Sequence, residues 1–222
     1  MPPKRVILTV LALSALLHLY VGMRLLAPLQ PEGGWLAAAV AVLALSALLV
    51  PAGLLASAFR RLRWSDQLSW AGMLAMGLFS SLLVLTFMRD VTLLILAFIG
   101  AGSDAIDRGS AIAVPVLALA VTAAGFFNAR RLARVVEVEV PVAGLPKSLH
   151  GYSIAQISDV HIGPTIKRGY LEAIVARVNG LKPDAIAITG DLVDGSVQRL
   201  GSHTAPLAQL AAPYGAFFVT GN

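Results

Sequence analysis

Four apolar stretches, all before residue 130, set the first limit on this chain. They cover residues 6–23, 35–59, 68–88 and 109–127, and each approaches the roughly 20 residues that a helix needs to cross a hydrocarbon core of about 30 Å. Their ends are marked. Lys4 and Arg5 precede the first, and Arg60, Arg61 and Arg63 follow the second. Arg89-Asp90 closes the third, and Arg130, Arg131 and Arg134 follow the fourth. Trp35, Trp64 and Trp70 fall near these ends, where an aromatic belt sits. The whole chain is 57% hydrophobic and only 13% charged, against about a quarter charged in a soluble domain. The expected organisation is a four-span membrane segment over residues 1–134 and a soluble segment over 135–222. Residues 91–102 are apolar but too short to span, and read as an interfacial or re-entrant piece.

Charge gives the orientation. Residues 1–134 hold 11 Lys/Arg against 5 Asp/Glu, and the remainder holds 6 against 7. The net +5 therefore flanks the spans and does not call for a nucleic-acid partner. The N-terminus, the second-to-third connection and the stretch after the fourth span share eight of these cations, while Arg24, Arg89 and Arg108 lie on the opposite side. The positive-inside rule then expects both termini in the cytoplasm. His18, within the first span, reads as a histidine bonded to a neighbouring helix, and Pro115 as a kink in the fourth span. With no cysteine, any metal must be held by oxygen and imidazole ligands.

The soluble segment has its own rhythm. Residues 135–140 alternate valine with glutamate, the period of a half-exposed strand. Three apolar runs follow, at 152–157, 185–188 and 216–219, separated by helical patterns at 166–179 and around 205–211. Thr165 is the expected cap of the first helix and Gly180 its stop. The pattern is βαβαβ with parallel strands and right-handed crossovers. Each run ends in a polar tip: Asp159-Val160-His161, Gly190-Asp191, and Gly221-Asn222. Asp191 lies 32 residues after Asp159, and Asn222 lies 31 after Asp191. Equal strand-then-loop units bring such tips to one edge of a parallel sheet, where α/β proteins hold ligands.

Those residue types suit cations. Asp159 and His161 can reach a first cation, Asp191 can bridge to a second, and Asn222 can offer that one its amide oxygen. Oxygen and imidazole donors without sulfur suit manganese, iron, zinc or magnesium. Two such ions about 3.5–4 Å apart activate a water and clamp a phosphoryl group for in-line displacement.

The wording of the three tips resembles the calcineurin-like metallophosphoesterases, whose motifs run D-x-H, G-D, G-N-H and G-H-x-H. Residues 156–163 and 188–195 look like the bacterial membrane-associated branch, which includes UDP-diacylglucosamine pyrophosphatases. The resemblance implies the first half of an α/β phosphoesterase domain with two divalent metal ions. Asp159 and His161 would bind the first ion, Asp191 would bridge and Asn222 would bind the second. It gives Asp194 a hydrogen-bonding role that steadies its loop. The substrate would be a phosphodiester or pyrophosphate, lipid-linked if the anchor holds the site at the bilayer. The family's later histidines do not occur in these 222 residues, so the expectation is a truncated chain without turnover of its own. The alternative from another class is a non-catalytic integral membrane interaction protein with a vestigial soluble domain.

Overall fold

The computed structural model describes residues 3–56 and 64–221. Residues 57–59 of the second apolar stretch, Arg60, Arg61, Arg63 and Asn222 lie outside them. The chain divides into two compact units, Met1–Arg130 and Arg131–Asn222.

The first unit holds four helices: α1 (Lys4–Leu26), α2 (Gly33–Leu55), α3 (Ser65–Phe98) and α4 (Asp104–Ala129). All four are long and apolar enough to cross a membrane. Their outer surfaces leave leucine and valine exposed, Leu8, Leu48 and Val84 among them, while a small cluster of Val21, Leu25, Phe79 and Val114 is buried. Lipid is as apolar as leucine, so packing in a bilayer falls to close backbone contact and polar groups. Both occur. A Cβ on Gly53 of α2 would lie 2.5 Å from the Cα of Gly72 in α3, so these helices touch backbone to backbone. His18 lies 2.7 Å by Nδ1 from the Ser14 carbonyl and 2.9 Å by Nε2 from the Ser46 hydroxyl of α2, and stacks on Phe79 at 3.5 Å. This is the cross-helix bonding expected of it. Arg130 places its guanidinium 5.0 Å from the Trp70 ring centre.

The third helix does not end at Arg89-Asp90. It continues to Phe98, so residues 91–98 extend α3 and are not a separate interfacial piece. The two charges that read as a boundary are spent on partners. Arg89 donates to Ser110 Oγ at 2.9 Å and to the carbonyls of Asp107 (3.0 Å) and Arg24 (3.3 Å), and it pairs with the Asp107 carboxylate. Asp90 accepts from Arg24 Nε at 2.8 Å and Tyr20 Oη at 2.7 Å. Once paired across α1, α3 and α4, the charges no longer oppose continuation of the helix.

The second unit contains β1 (Ile154–Ser158), α5 (Arg168–Leu181), β2 (Ala185–Thr189), α6 (Val197–Thr204) and β3 (Ala216–Phe218). The sheet is parallel, in the order β1-β2-β3, with Ser158 beside Thr189 and Ile188 beside Phe218. The chain thus has the expected class: four apolar helices, then a small parallel βαβαβ unit. Leu171, Ile174, Val175 and Val178 recur along one stripe of α5, and bury against Ile157, Ile186 and Ile188 of the strands.

Local departures have local causes. Residues 135–140 are exposed and join no strand ladder, since nothing pairs with them. Helix α5 starts at Arg168, three residues beyond the expected Thr165 cap, because Gly163 N–H donates to the Ile166 carbonyl at 2.9 Å and holds 163–166 as a turn. It passes Gly180 and stops where Lys182 turns left-handed at φ 51°. The helix expected around 205–211 is instead α6 followed by a short 3-10 turn, Ala205–Gln209, with Pro206 near its start. Leu207 and Leu210 still pack on the core.

Candidate metal centre

The sheet carries Asp159 and Asp191 to the same rim. Ser158 pairs with Thr189, so the chain leaves β1 and β2 at one level. The pairing then continues through the loops. Asp159 N–H donates to the Thr189 carbonyl (3.4 Å), His161 N–H to Asp191 (3.1 Å) and Ile162 N–H to Leu192 (2.9 Å). Asp194 N–H returns to the Ile162 carbonyl at 2.8 Å, and Ile162 and Val193 form a parallel bridge. Both loops are therefore held against each other along their lengths.

Alternation within the first loop separates anchor from tip. Val160 and Ile162 are buried, whereas Asp159 and His161 are exposed. Asp159 and His161 adopt left-handed backbone, φ 53° and 52°. Aspartate and histidine tolerate that region better than most side chains, but the conformation still stores strain. Such strain persists where the surroundings over-determine it, here the loop–loop ladder and the two buried aliphatic residues.

The Asp159 carboxylate is oriented by two donors. Its Oδ1 accepts the Asp191 N–H at 3.3 Å, and its Oδ2 accepts the Ser158 hydroxyl. The Ser158 hydroxyl, followed by the Asp191 N–H, holds its pKa below the usual carboxylate range. The group stays ionised, as a cation ligand must. His161 Nδ1 sits 3.0 Å from Asp194 Oδ1, and this hydrogen bond raises the imidazole pKa. Gly190, at φ +71°, has no side chain to meet the Asp159 carboxylate; a Cβ there would sit 2.5 Å from Oδ1. A Cβ on Gly221 would lie 2.8 Å from Asp191 N, so the third loop also approaches this rim.

The expected site residues thus fare differently. The Asp159 carboxylate accepts the Asp191 backbone N–H, and His161, on the same loop pair, bonds to Asp194. Asn222 lies outside the described residues. Among those residues, no group of three or more histidines, cysteines or acidic residues is arranged to hold a metal ion. By type alone, the carboxylates of Asp159 and Asp191 and the His161 imidazole on this loop pair, beside the Gly190 cradle that a Cβ would fill, are donors that suit a hard divalent cation. His150 caps a short 3-10 turn before β1, and His203 lies in α6, both apart from the strand ends. The sequence reading missed the Ser158 hydroxyl, whose signal was a hydroxyl residue directly before the first aspartate. It also missed the Gln156 Nε2 bond to Thr189 Oγ1 (2.9 Å) across the two strands.

Residues 152–222 match the calcineurin-like phosphoesterase family model. The matched residues are thus similar to calcineurin-like phosphoesterases, and they follow four helices that are long and apolar enough to cross a membrane. Among its relatives is a zebrafish transmembrane protein with metallophosphoesterase domain, 47% identical over 111 residues, 48% of this chain and 25% of the relative. The bovine protein of the same name is 38% identical over 146 residues, 64% of this chain and 33% of the relative. That share exceeds the whole second unit, so the likeness reaches into the apolar helices. A UDP-2,3-diacylglucosamine pyrophosphatase of Chlamydia muridarum is 37% identical over 82 residues, 35% of this chain and 25% of the relative. These matches span a quarter to a third of the relatives' own length. Animals and bacteria both supply them, so they do not support a bacterial source. No solved structure matches.

Proposed function

We propose that this chain contributes to a binuclear cation site that hydrolyses a phosphodiester or pyrophosphate beside a membrane. The observation that carries the reading is the Asp191 N–H bonded to the Asp159 carboxylate, which sets the loops after two adjacent strands at one rim. Two divalent cations would supply Lewis-acid polarisation of the phosphoryl oxygens and a nucleophilic water near neutral pH. Asp159 and His161 would hold one, Asp191 would bridge, and Asn222 would serve the other. The chain's own work is orientation. Ser158 and the Asp191 backbone aim Asp159, the loop ladder fixes the spacing, and Gly190 leaves the carboxylate room. Cation identity among manganese, iron, zinc and magnesium follows from donor type alone.

A lipid-linked phosphate is the substrate class we favour. The membrane helices support it, as does the likeness to an enzyme named for a diacylated nucleotide-sugar substrate. The distribution of Lys and Arg supports a cytoplasmic side for the phosphoesterase segment. The non-catalytic membrane interaction protein finds no favour in the family match.

Hydrolysis of bis-p-nitrophenyl phosphate with Mn2+, by the full-length protein carrying this sequence, tests the reading. Cation-dependent turnover abolished by Asp191→Ala supports it. Turnover that survives Asp191→Ala removes the bridging role.

A further inference from the structure

The loop after β2 sends a second carboxylate to the rim, and it has no place among the cation ligands. Asp194 Oδ1 lies 3.0 Å from His161 Nδ1. The contact is built into the backbone. Asp194 N–H is tied to the Ile162 carbonyl at 2.8 Å, one residue from His161, and the Cβ of Asp194 lies 3.2 Å from where Gly163 would carry its own. Any side chain at 194 is thereby held against the 161–163 segment, and any side chain at 163 other than hydrogen would push it away.

A carboxylate accepts and never donates, so the nitrogen facing it must carry the proton. We propose that Asp194 is a positioning residue: it holds His161 in the Nδ1–H tautomer and leaves Nε2 as the lone-pair nitrogen for a cation. This rests on the metal-centre reading above, and adds to it the residue that chooses which imidazole nitrogen serves. Free imidazole interchanges its tautomers, and its ring turns about the Cα–Cβ and Cβ–Cγ bonds. The Asp194 bond removes both freedoms before a cation arrives. Outer carboxylates that orient a ligating histidine typically change metal affinity by about 10–100-fold when removed. His161 is half exposed, so packing alone does not fix the ring, and the bond to Asp194 has that task.

The test uses the whole chain in lipid nanodiscs, labelled with 15N-histidine and free of metal, at a pH where the imidazoles are neutral. The chain has four histidines, and His161→Gln identifies the resonance of His161. Long-range proton–nitrogen spectra then report which nitrogen bears the proton. The expected result is Nδ1–H in the wild type, loss of that state in Asp194→Ala, and its return in Asp194→Asn, whose amide oxygen still accepts. If Asp194→Ala loses the protected amides of the sheet, Asp194→Leu fills the space without an acceptor and is read the same way. Equilibrium dialysis with Mn2+ should then show a 10–100-fold weaker affinity for the acceptor-free variant and near wild-type affinity for Asp194→Asn. An unchanged His161 tautomer in the acceptor-free variant overturns the proposal, as does a changed tautomer with unchanged Mn2+ affinity. A wild type that shows the tautomer switch but holds no Mn2+ supports the pairing and sinks the metal-centre reading, so the two failures are distinct.

Discussion

Replacing Gly190 by alanine tests the rim where it is tightest. The residue has φ +71°, and left-handed backbone costs a residue with a Cβ about 1–2 kcal/mol. The new Cβ would sit 2.5 Å from Asp159 Oδ1, 2.8 Å from its Cγ and 2.9 Å from Oδ2. Ordinary contact begins near 3.4 Å, so the carboxylate must retreat by roughly 1 Å, a displacement that can cost about 100-fold at a working site. That retreat also breaks the 3.3 Å bond from the Asp191 N–H. The second unit has no tryptophan, so hydrogen exchange read by mass spectrometry is the suitable assay. At roughly 1.4 kcal/mol per tenfold, the backbone cost alone should make amides of β1 and β2 exchange about 5- to 30-fold faster. Mn2+ affinity should fall at least about tenfold. Gly190→Asn separates the causes, since asparagine tolerates the backbone but keeps the clash: exchange should recover partly and Mn2+ affinity should not. Exchange and affinity in Gly190→Ala within about twofold of wild type would refute the geometry, because the Cβ would then have found room that the structure denies it.

Other consequences follow from the same contacts. Gly72→Ala would bring a Cβ 2.7 Å from the Leu49 carbonyl and 2.8 Å from Gly53 N, and should destabilise the α2–α3 pair by about 1–3 kcal/mol. The three tryptophans all lie in the helical unit, so their fluorescence during thermal unfolding in nanodiscs reads this loss directly. Asp107→Ala strips Arg89 of its carboxylate and should destabilise the helices by about 1–3 kcal/mol; Asp107 is half exposed, which keeps the loss below that of a fully buried pair. In the metal-free chain, the raised pKa of His161 makes the charge-assisted part of its pairing with Asp194 pH-dependent, while the neutral ring keeps its Nδ1–H bond. The contribution is fully present below about 6.5, the ordinary histidine value, and is lost as pH rises through the raised one. Loop amides at 161–163 should accordingly exchange faster, relative to β1 and β2, as pH climbs through that window. Asp194→Ala should flatten the difference.

Much of this arrangement can be read before any coordinates are seen, and the reasons are physical. The apolar stretches reveal the helices because a bilayer demands about 20 apolar residues in a row. The strands reveal themselves by short apolar runs before polar tips, and parallel register then aligns those tips without further information. What escapes the sequence is pairing. Arg89-Asp90 looks like the end of a span until Ser110, Asp107, Tyr20 and Arg24 are seen to satisfy it. Valine and glutamate alternate over 135–140 as in a strand, but a strand exists only where a neighbour bonds it. Thr165 has the chemistry of a cap, yet the turn closed by Gly163 and Ile166 delays the helix. At the rim, the types of Asp159, His161 and Asp191 are evident from spacing. The hand that Asp194 lays on His161 depends on a loop–loop ladder that no local pattern records.

Asp191 is the residue proposed to join two cations at the rim. The most direct measurement is the Mn2+ stoichiometry of the full-length protein carrying this sequence, taken beside Asp191→Ala and His161→Gln. The account predicts two tightly held ions in the wild type, loss of both in Asp191→Ala, and retention of one in His161→Gln. Two ions still held by Asp191→Ala would contradict it.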